Sequence, residues 1–396
     1  MPLRLVVHDY SGFPFPVQLS RELARRGHSV LHLHCPSYRG GKGDLELRNG
    51  DPPTLAIEAV SLDRPFEKYS PGRRILQERV YGRRLARRIQ RERPDVVLSG
   101  NTPLFSQDVL LSRVDAPVVF WHQDVYSFPM QTEAERRLPG PLGRIVGRRF
   151  VELERRLLER SAAVITISED FRRTLLAWGI GEDKLQVIEN WAPVDELPVR
   201  PKENDWARRH RLEGKQVLLY SGTLGRKHDP SLLLRLADAL PEATMVVASE
   251  GLGADWLAER PRDNVLLLGF QPYGELSDVL ATGDVLLVLL GRDAGTFAVP
   301  SKVLSYLCAG RPLLAAIPAA NLAAKVIEES GAGIVVEPDA AHGLVEATRT
   351  LLADTELRAR LGQAGRAYAE RTFDIAAIGD RFEEVIASVA PASSRS

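Results

Sequence analysis

Cysteine is scarce in this chain. Cys35 and Cys308 are the whole supply, they lie far apart, and neither sits in a metal-like spacing. That argues against a disulfide framework or a zinc site and for free thiols in a reducing compartment. No apolar run approaches the length of a membrane span, and no basic-apolar-cleavage pattern opens the chain. The expected location is therefore cytoplasmic, without a transmembrane anchor. Net charge is missing too, since 52 Lys and Arg balance 52 Asp and Glu. With no aromatics interleaved among the basic residues, this balance disfavours a nucleic-acid partner. Residues 9–16, D-Y-S-G-F-P-F-P, hold a single glycine where a dinucleotide fingerprint needs three. No cofactor and no metal are expected.

What the chain does have is alternation. At 396 residues it is too long for one compact core, so two domains are expected. Short apolar runs read as buried parallel strands at 3–8, 29–34, 95–99, 116–121, 162–168 and 184–188, with helices at about 16–26, 72–93 and 142–160. The glycine- and proline-rich stretch 36–53 reads as a loop. Residues 192–214, with three prolines and mixed charge, break the pattern and read as a linker. Strands then resume at 216–221, 244–249, 264–269, 284–290, 312–317 and 333–336, before a helical tail from about 340 to 390 that breaks at 372–374. The expected fold is α/β: two doubly wound, Rossmann-like domains facing a central cleft, with boundaries at 1–195, 196–373 and 374–396.

In such sheets ligands sit beyond the carboxyl ends of the strands. Gly12 follows the first strand and lets backbone approach a ligand. W-H-Q-D (121–124) ends a buried strand, so His122 is expected to face the cleft and offer an imidazole to a sugar hydroxyl, with Asp124 beside it. Y-S-G-T-L-G-R-K-H-D-P (220–230) frees the backbone at Gly222 and sets Arg226 and Lys227 at a strand end, which suits a pyrophosphate. Asp229 reads as the cap of the next helix, with Pro230 at its first position. Glu250 is expected near the ribose or phosphates, and Gly269 and Phe270 offer backbone to a base. After the strand 284–290, Pro300 is set to start a helix that ends at Gly310, which puts Ser301 and Lys302 on its first turn. A lysine there makes sense with an anion between it and the helix end.

These stretches, with N-V-L-L-L-G-F-Q-P-Y-G-E-L (264–276) and V-P-S-K-V-L-S-Y-L-C-A-G-R-P (299–312), resemble the family 4 retaining glycosyltransferases of the GT-B fold. The likeness leans toward the colanic-acid and exopolysaccharide branch and covers nearly the whole chain. It implies transfer of a sugar from a nucleotide diphosphate sugar to a sugar or lipid-linked acceptor, with retention and without a metal. It makes Arg226 and Lys227 the donor-phosphate pair, Pro300–Lys302 the cap on the distal phosphate, and His122 the contact to the donor sugar. It also makes Gly12 the glycine of the first, acceptor-side loop. Two glutamates of the family pattern are replaced, by Phe297 and by Ser305, the latter at the nucleotide's ribose.

Basic residues crowd 64–93 and 144–160, either as solvated helix faces or as an attraction to the anionic inner face of a membrane. Two other functions share the architecture: a nucleotide-sugar 2-epimerase, and a non-catalytic partner that only binds the donor. The first needs more carboxylates and histidines than His122 and Asp124. Donor hydrolysis separates the second, because a binding partner releases no nucleotide.

Overall fold

The computed structural model describes residues 1–38, 42–64, 71–225, 227–292 and 301–391, which fall into two compact units. One holds Met1–Asn190 together with the chain from Ile375 onward; the other is Trp191–Asp374. Both are built on parallel sheets with helical crossovers.

The first unit has seven strands: β1 (Arg4–Asp9), β2 (Ser29–His34), β3 (Leu55–Ala59), β4 (Val96–Gly100), β5 (Val118–His122), β6 (Ala163–Thr166) and β7 (Leu185–Val187). Their order is β3-β2-β1-β4-β5-β6-β7. The chain leaves β1 in one direction and later returns to β4 in the other, so the sheet's switch point lies between those two strands, where a crevice opens at their carboxyl ends. The sequence pattern does not reveal β3. It is an edge strand buried only at Leu55 and lacks the continuous apolar run of a central strand. The expected first helix begins slightly earlier, at Pro14, because proline suits the first helical turn.

The helix Ile375–Val389 completes this unit. Arg26 reaches Asp380, Glu383 and the Ala376 carbonyl, His28 bonds Glu383 at 2.8 Å, and the Phe382 ring meets Trp121 edge-on at 4.8 Å. A Cβ at Gly379 would lie 2.8 Å from the Arg26 guanidinium, so the glycine admits the arginine.

The second unit has six strands: β8 (Val217–Ser221), β9 (Thr244–Ala248), β10 (Val265–Leu268), β11 (Val285–Leu289), β12 (Leu313–Ala316) and β13 (Gly333–Val336). Their order is β10-β9-β8-β11-β12-β13, which puts the switch point between β8 and β11. Residues 192–214 are not a free linker. Trp191, Leu197, Trp206 and Leu212 are buried, a short helix runs Asp205–Arg209, and Asn204 bonds the Asp278 carbonyl and Thr282. Prolines and charges mark irregular backbone here, while the tryptophans fasten it. The tail breaks at Asp354 as well as at 373–374, because the Asp354 carboxylate caps the helix Thr355–Thr372 through the Leu357 N–H.

Candidate donor-phosphate site at the β8–β11 switch point

The carboxyl end of β8 is held by a tyrosine from another element. The Tyr306 hydroxyl accepts from the Ser221 N–H at 2.8 Å and donates to the Ser221 carbonyl at 3.0 Å. This ties the helix Lys302–Cys308, which follows β11, to the end of β8. Gly222 comes next with φ +122°, and a Cβ there would stand 3.2 Å from the Lys302 side chain. The bare backbone is what lets the lysine through.

Lys302 then lies over the Tyr220 ring, its Nζ 3.5 Å from the centroid. The amine is buried and has no hydrogen-bond partner among the described residues. Burial alone pushes it well below the ordinary lysine range. The ring face returns about 2 kcal/mol to a desolvated cation. Taking an unpaired ammonium out of water costs several, so a π face does not replace an anion. Position and chemistry together describe one half of an ion pair.

The loop after Gly222 is stitched to its surroundings. Gly222 and Leu224 N–H groups donate to the Ala248 and Glu250 carbonyls, and the Gly291 N–H donates to the Lys227 carbonyl at 2.7 Å. Lys227 is therefore exposed on a loop anchored to the end of β11. Glu250 is exposed, and its carboxylate comes within 3.8 Å of a Cβ placed on Gly269, so these two nucleotide-side candidates are neighbours. Phe270 and Ser305 are half-buried. Ser301 is exposed and precedes the helix, which begins at Lys302. Asp229 accepts from the Ser231 N–H at 2.9 Å, so the next helix starts at Ser231, one residue later than expected, with Pro230 as its cap residue. Arg226, Phe297 and Pro300 lie outside the described residues.

In the first unit His122 has a partner within the fold that the sequence does not suggest. His122 is fully buried, and its Nδ1 has no hydrogen-bond partner among the described residues. Its Nε2 bonds Glu154 Oε1 at 2.8 Å, and the same carboxylate accepts the Tyr126 and Ser127 N–H groups at 2.9 Å each. The pair fastens the helix Ser127–Arg137 to the end of β5. Strand alternation is the reason: side chains of neighbouring residues point to opposite faces, and His122 takes the face covered by the helix Pro141–Arg160. Asp124, beyond the strand end, is half-buried.

At the β1–β4 switch point Gly12 is left-handed, with φ +71°. A Cβ there would meet Leu45 at 2.9 Å, and Gly43 donates to the Gly12 carbonyl. The chain from Lys42 to Leu45 thus lies on this loop. Beneath it, Asp9 accepts from Asn101 Nδ2 at 2.7 Å and the Phe13 N–H at 2.6 Å. Burial nonetheless raises its carboxyl to about 6.

Sequence reasoning found Lys302 and Gly222 but missed Tyr220, Tyr306 and Glu154. Tyr306 was within reach of inspection, because it stands four residues after Lys302 and shares its helix face. Nothing in the sequence pairs Glu154 with His122.

Comparison with known proteins agrees with this geometry. The family model described as Glycosyltransferase Family 4 matches residues 16–196, and that described as Glycosyl transferases group 1 matches 202–368. A putative colanic acid biosynthesis glycosyl transferase of Escherichia coli (strain K12) is 26% identical over 231 residues, 56% of either chain. The match thus spans little more than half of that relative. A glycogen synthase of Mycobacterium tuberculosis is 26% identical over 380 residues, 90% of this chain and 86% of its own. Among solved structures, Anabaena HepE in complex with UDP and glucose superposes with a TM-score of 0.70 at 16% identity, covering 98% of this chain and all of its own. Sucrose-phosphate synthase from Thermosynechococcus elongatus gives 0.70 at 15%, covering 97% and 98%. Adjoining family matches over most of the sequence and two doubly wound units of the same architecture lead to one conclusion: the chain belongs to the family 4 glycosyltransferases of the GT-B fold.

Proposed function

We propose that this protein transfers a sugar from a nucleoside diphosphate sugar to an acceptor hydroxyl, with retention at the anomeric carbon, in the synthesis of a polysaccharide or glycoconjugate. The observation that carries the reading is the buried amine of Lys302 at the β8–β11 switch point, which has no partner among the described residues. Lys302, Gly222, Ser301 and Lys227, with Arg226 and Pro300, would hold the diphosphate. Glu250, Gly269, Phe270 and Ser305 would meet the nucleoside. Cations fixed where the leaving phosphate gains charge stabilise the transition state, and one such group is typically worth about 10²–10³ in rate. HepE, the fold neighbour described with UDP and glucose, supports a donor of this class. Residues 1–195 would serve the acceptor, with Gly12 and Asp124 on that side, and 196–373 the donor.

The test is release of nucleoside diphosphate from UDP-, GDP- and ADP-sugars, with and without lipid-linked acceptors. Transfer from at least one donor is expected. Binding of a donor with no turnover under any acceptor would leave only the role of a binding subunit.

The same reading places the protein at an anionic membrane surface. Crossovers from β3 to β4, β4 to β5 and β5 to β6 run in one direction across the sheet, so right-handedness puts their helices on one face. On the helix Pro71–Glu92, Arg74, Arg84 and Arg88 pair with acids, whereas Arg83, Arg87 and Arg91 are exposed and unpaired among the described residues. Arg144, Arg148, Arg149 and Arg156 repeat this on Pro141–Arg160. Leu76, Leu142 and Ile145 stand exposed near the starts of the same two helices. Each arginine near an anionic surface contributes about 1 kcal/mol. Sedimentation with phosphatidylglycerol vesicles but not phosphatidylcholine vesicles is expected, and should fade with salt; equal binding to both would remove the membrane from the proposal.

A further inference from the structure

Lys302 presents an amine that the described residues do not neutralise. Among the described residues, its surroundings are built from β8, the turn after it and its own helix. β8 contributes Tyr220, whose ring lies beneath Nζ. The turn after β8 contributes Gly222, which has no side chain to offer. Its own helix contributes Tyr306, whose hydroxyl is engaged with Ser221. The titratable group shown against the amine is the Tyr220 phenol, with Tyr306 four residues along the same helix, and burial pushes both phenols up, so neither is an anion near neutral pH. No carboxylate among the described residues contributes to the amine's titration, which burial pulls down.

We propose that Lys302 stands as a neutral amine in the free protein and becomes an ammonium when the donor diphosphate binds, so that donor binding takes up a proton from solvent. This rests on reading the site as the donor-phosphate site. No covalent bond changes: the amine gains one proton, and the resulting ammonium donates to a phosphate oxygen. The proton is then in place on the group facing the leaving phosphate when the glycosidic bond breaks. In the free protein the neutral form avoids a buried, unpaired charge. In the bound protein two charges of opposite sign enter together. Donor affinity therefore falls as pH rises, because each binding event must draw a scarcer proton.

Titration calorimetry tests this with intact nucleotide sugars, whose pyrophosphate diester has no group titrating near neutrality. UDP-, GDP- and ADP-sugars are screened, and the one that binds is titrated at pH 8 in buffers of low and high ionisation heat. The dependence of the observed heat on buffer should report uptake of about one proton by the natural protein. Lys302→Met should take up almost none and bind at least about tenfold more weakly, with a melting curve confirming that it folds. Binding without proton uptake by the natural protein would overturn the inference while leaving the donor site in place. Unchanged uptake in Lys302→Met would overturn it as well, assigning the proton to another group such as His228. Failure of every nucleotide sugar to bind the natural protein would remove the donor reading and the inference together.

Discussion

The two units share a fold and treat buried charge in opposite ways. The first unit buries His8, Asp9, Arg21, His32, Glu78, His122 and Glu154, and each makes at least one bond within the fold, although Arg21 Nη1, His32 Nε2 and His122 Nδ1 have no partner among the described residues. His8 alone links β1 to Tyr81 at 2.8 Å and to Thr102 at 3.0 Å. The buried polar residues of the second unit are Asn, Ser and Thr. Its one buried charge-bearing atom without a partner, among the described residues, is the Lys302 amine. A partnered buried charge is architecture, since the cost of desolvation is already offset inside the fold. A side chain with no bonded atom at all, as at Lys302, is left for a partner that the described residues do not supply. His122 keeps one partner in the fold, through Nε2, whereas Lys302 has none among the described residues, although both looked like ligand contacts in the sequence.

Deleting a partner should hurt most in the first unit. Glu154→Ala strands a buried imidazole and two N–H groups, and should cost about 3–5 kcal/mol in urea unfolding, concentrated in the first unit by hydrogen exchange. Glu154→Gln keeps the shape and should cost less. Loss of sugar transfer by Glu154→Gln with full stability would put the pair back in the catalytic machinery.

Acid should separate the units next. Burial lowers His8 and His32 to about 3, and His34 to about 4, with neighbouring basic groups, His34 first for the former two and Lys42 for the last, adding to the effect. Below about pH 6.5 the unfolded chain binds protons that these folded imidazoles refuse, so stability falls as pH drops toward those values. Each buried imidazole contributes about 1 kcal/mol per pH unit over that window. Asp9, raised to about 6, works the other way between its unfolded value and 6, one group against three. Hydrogen exchange at pH 7.5 and 5.5 should show the first unit loosening before the second. Simultaneous loosening would erase the contrast.

A smaller effect is expected at Gly222. Gly222→Ala forces a side chain into φ +122° and toward Lys302, at about 1–3 kcal/mol, and should weaken nucleotide binding with it. Smallest of all is Lys302→Met, which in the absence of donor should melt no lower than the natural protein, because removing an unpaired buried amine is neutral or slightly stabilising. A large loss in its thermal unfolding would mean that the amine has a partner in the fold.

The sequence by itself determined the parallel, doubly wound architecture. Continuous apolar strands such as V-V-F-W and D-V-L-L-V-L-L are buried on both faces only in that arrangement. It also determined the glycine and the cations at the ends of β8 and β11, since strand ends and turn residues are local signals. The edge strand β3 escaped because burial on one face leaves a weak pattern, and the segment 192–214 escaped because its tryptophans pack against residues distant in sequence. Only the tertiary structure decided which polar residue points where. His122 is turned inward by the alternation of β5 and claimed by Glu154, 32 positions away. Lys302 is brought over Tyr220 by two strands that meet only at the switch point of the sheet. A side chain's chemistry is local, but its partner is set by which elements the fold makes adjacent, and spacing along the chain does not record that.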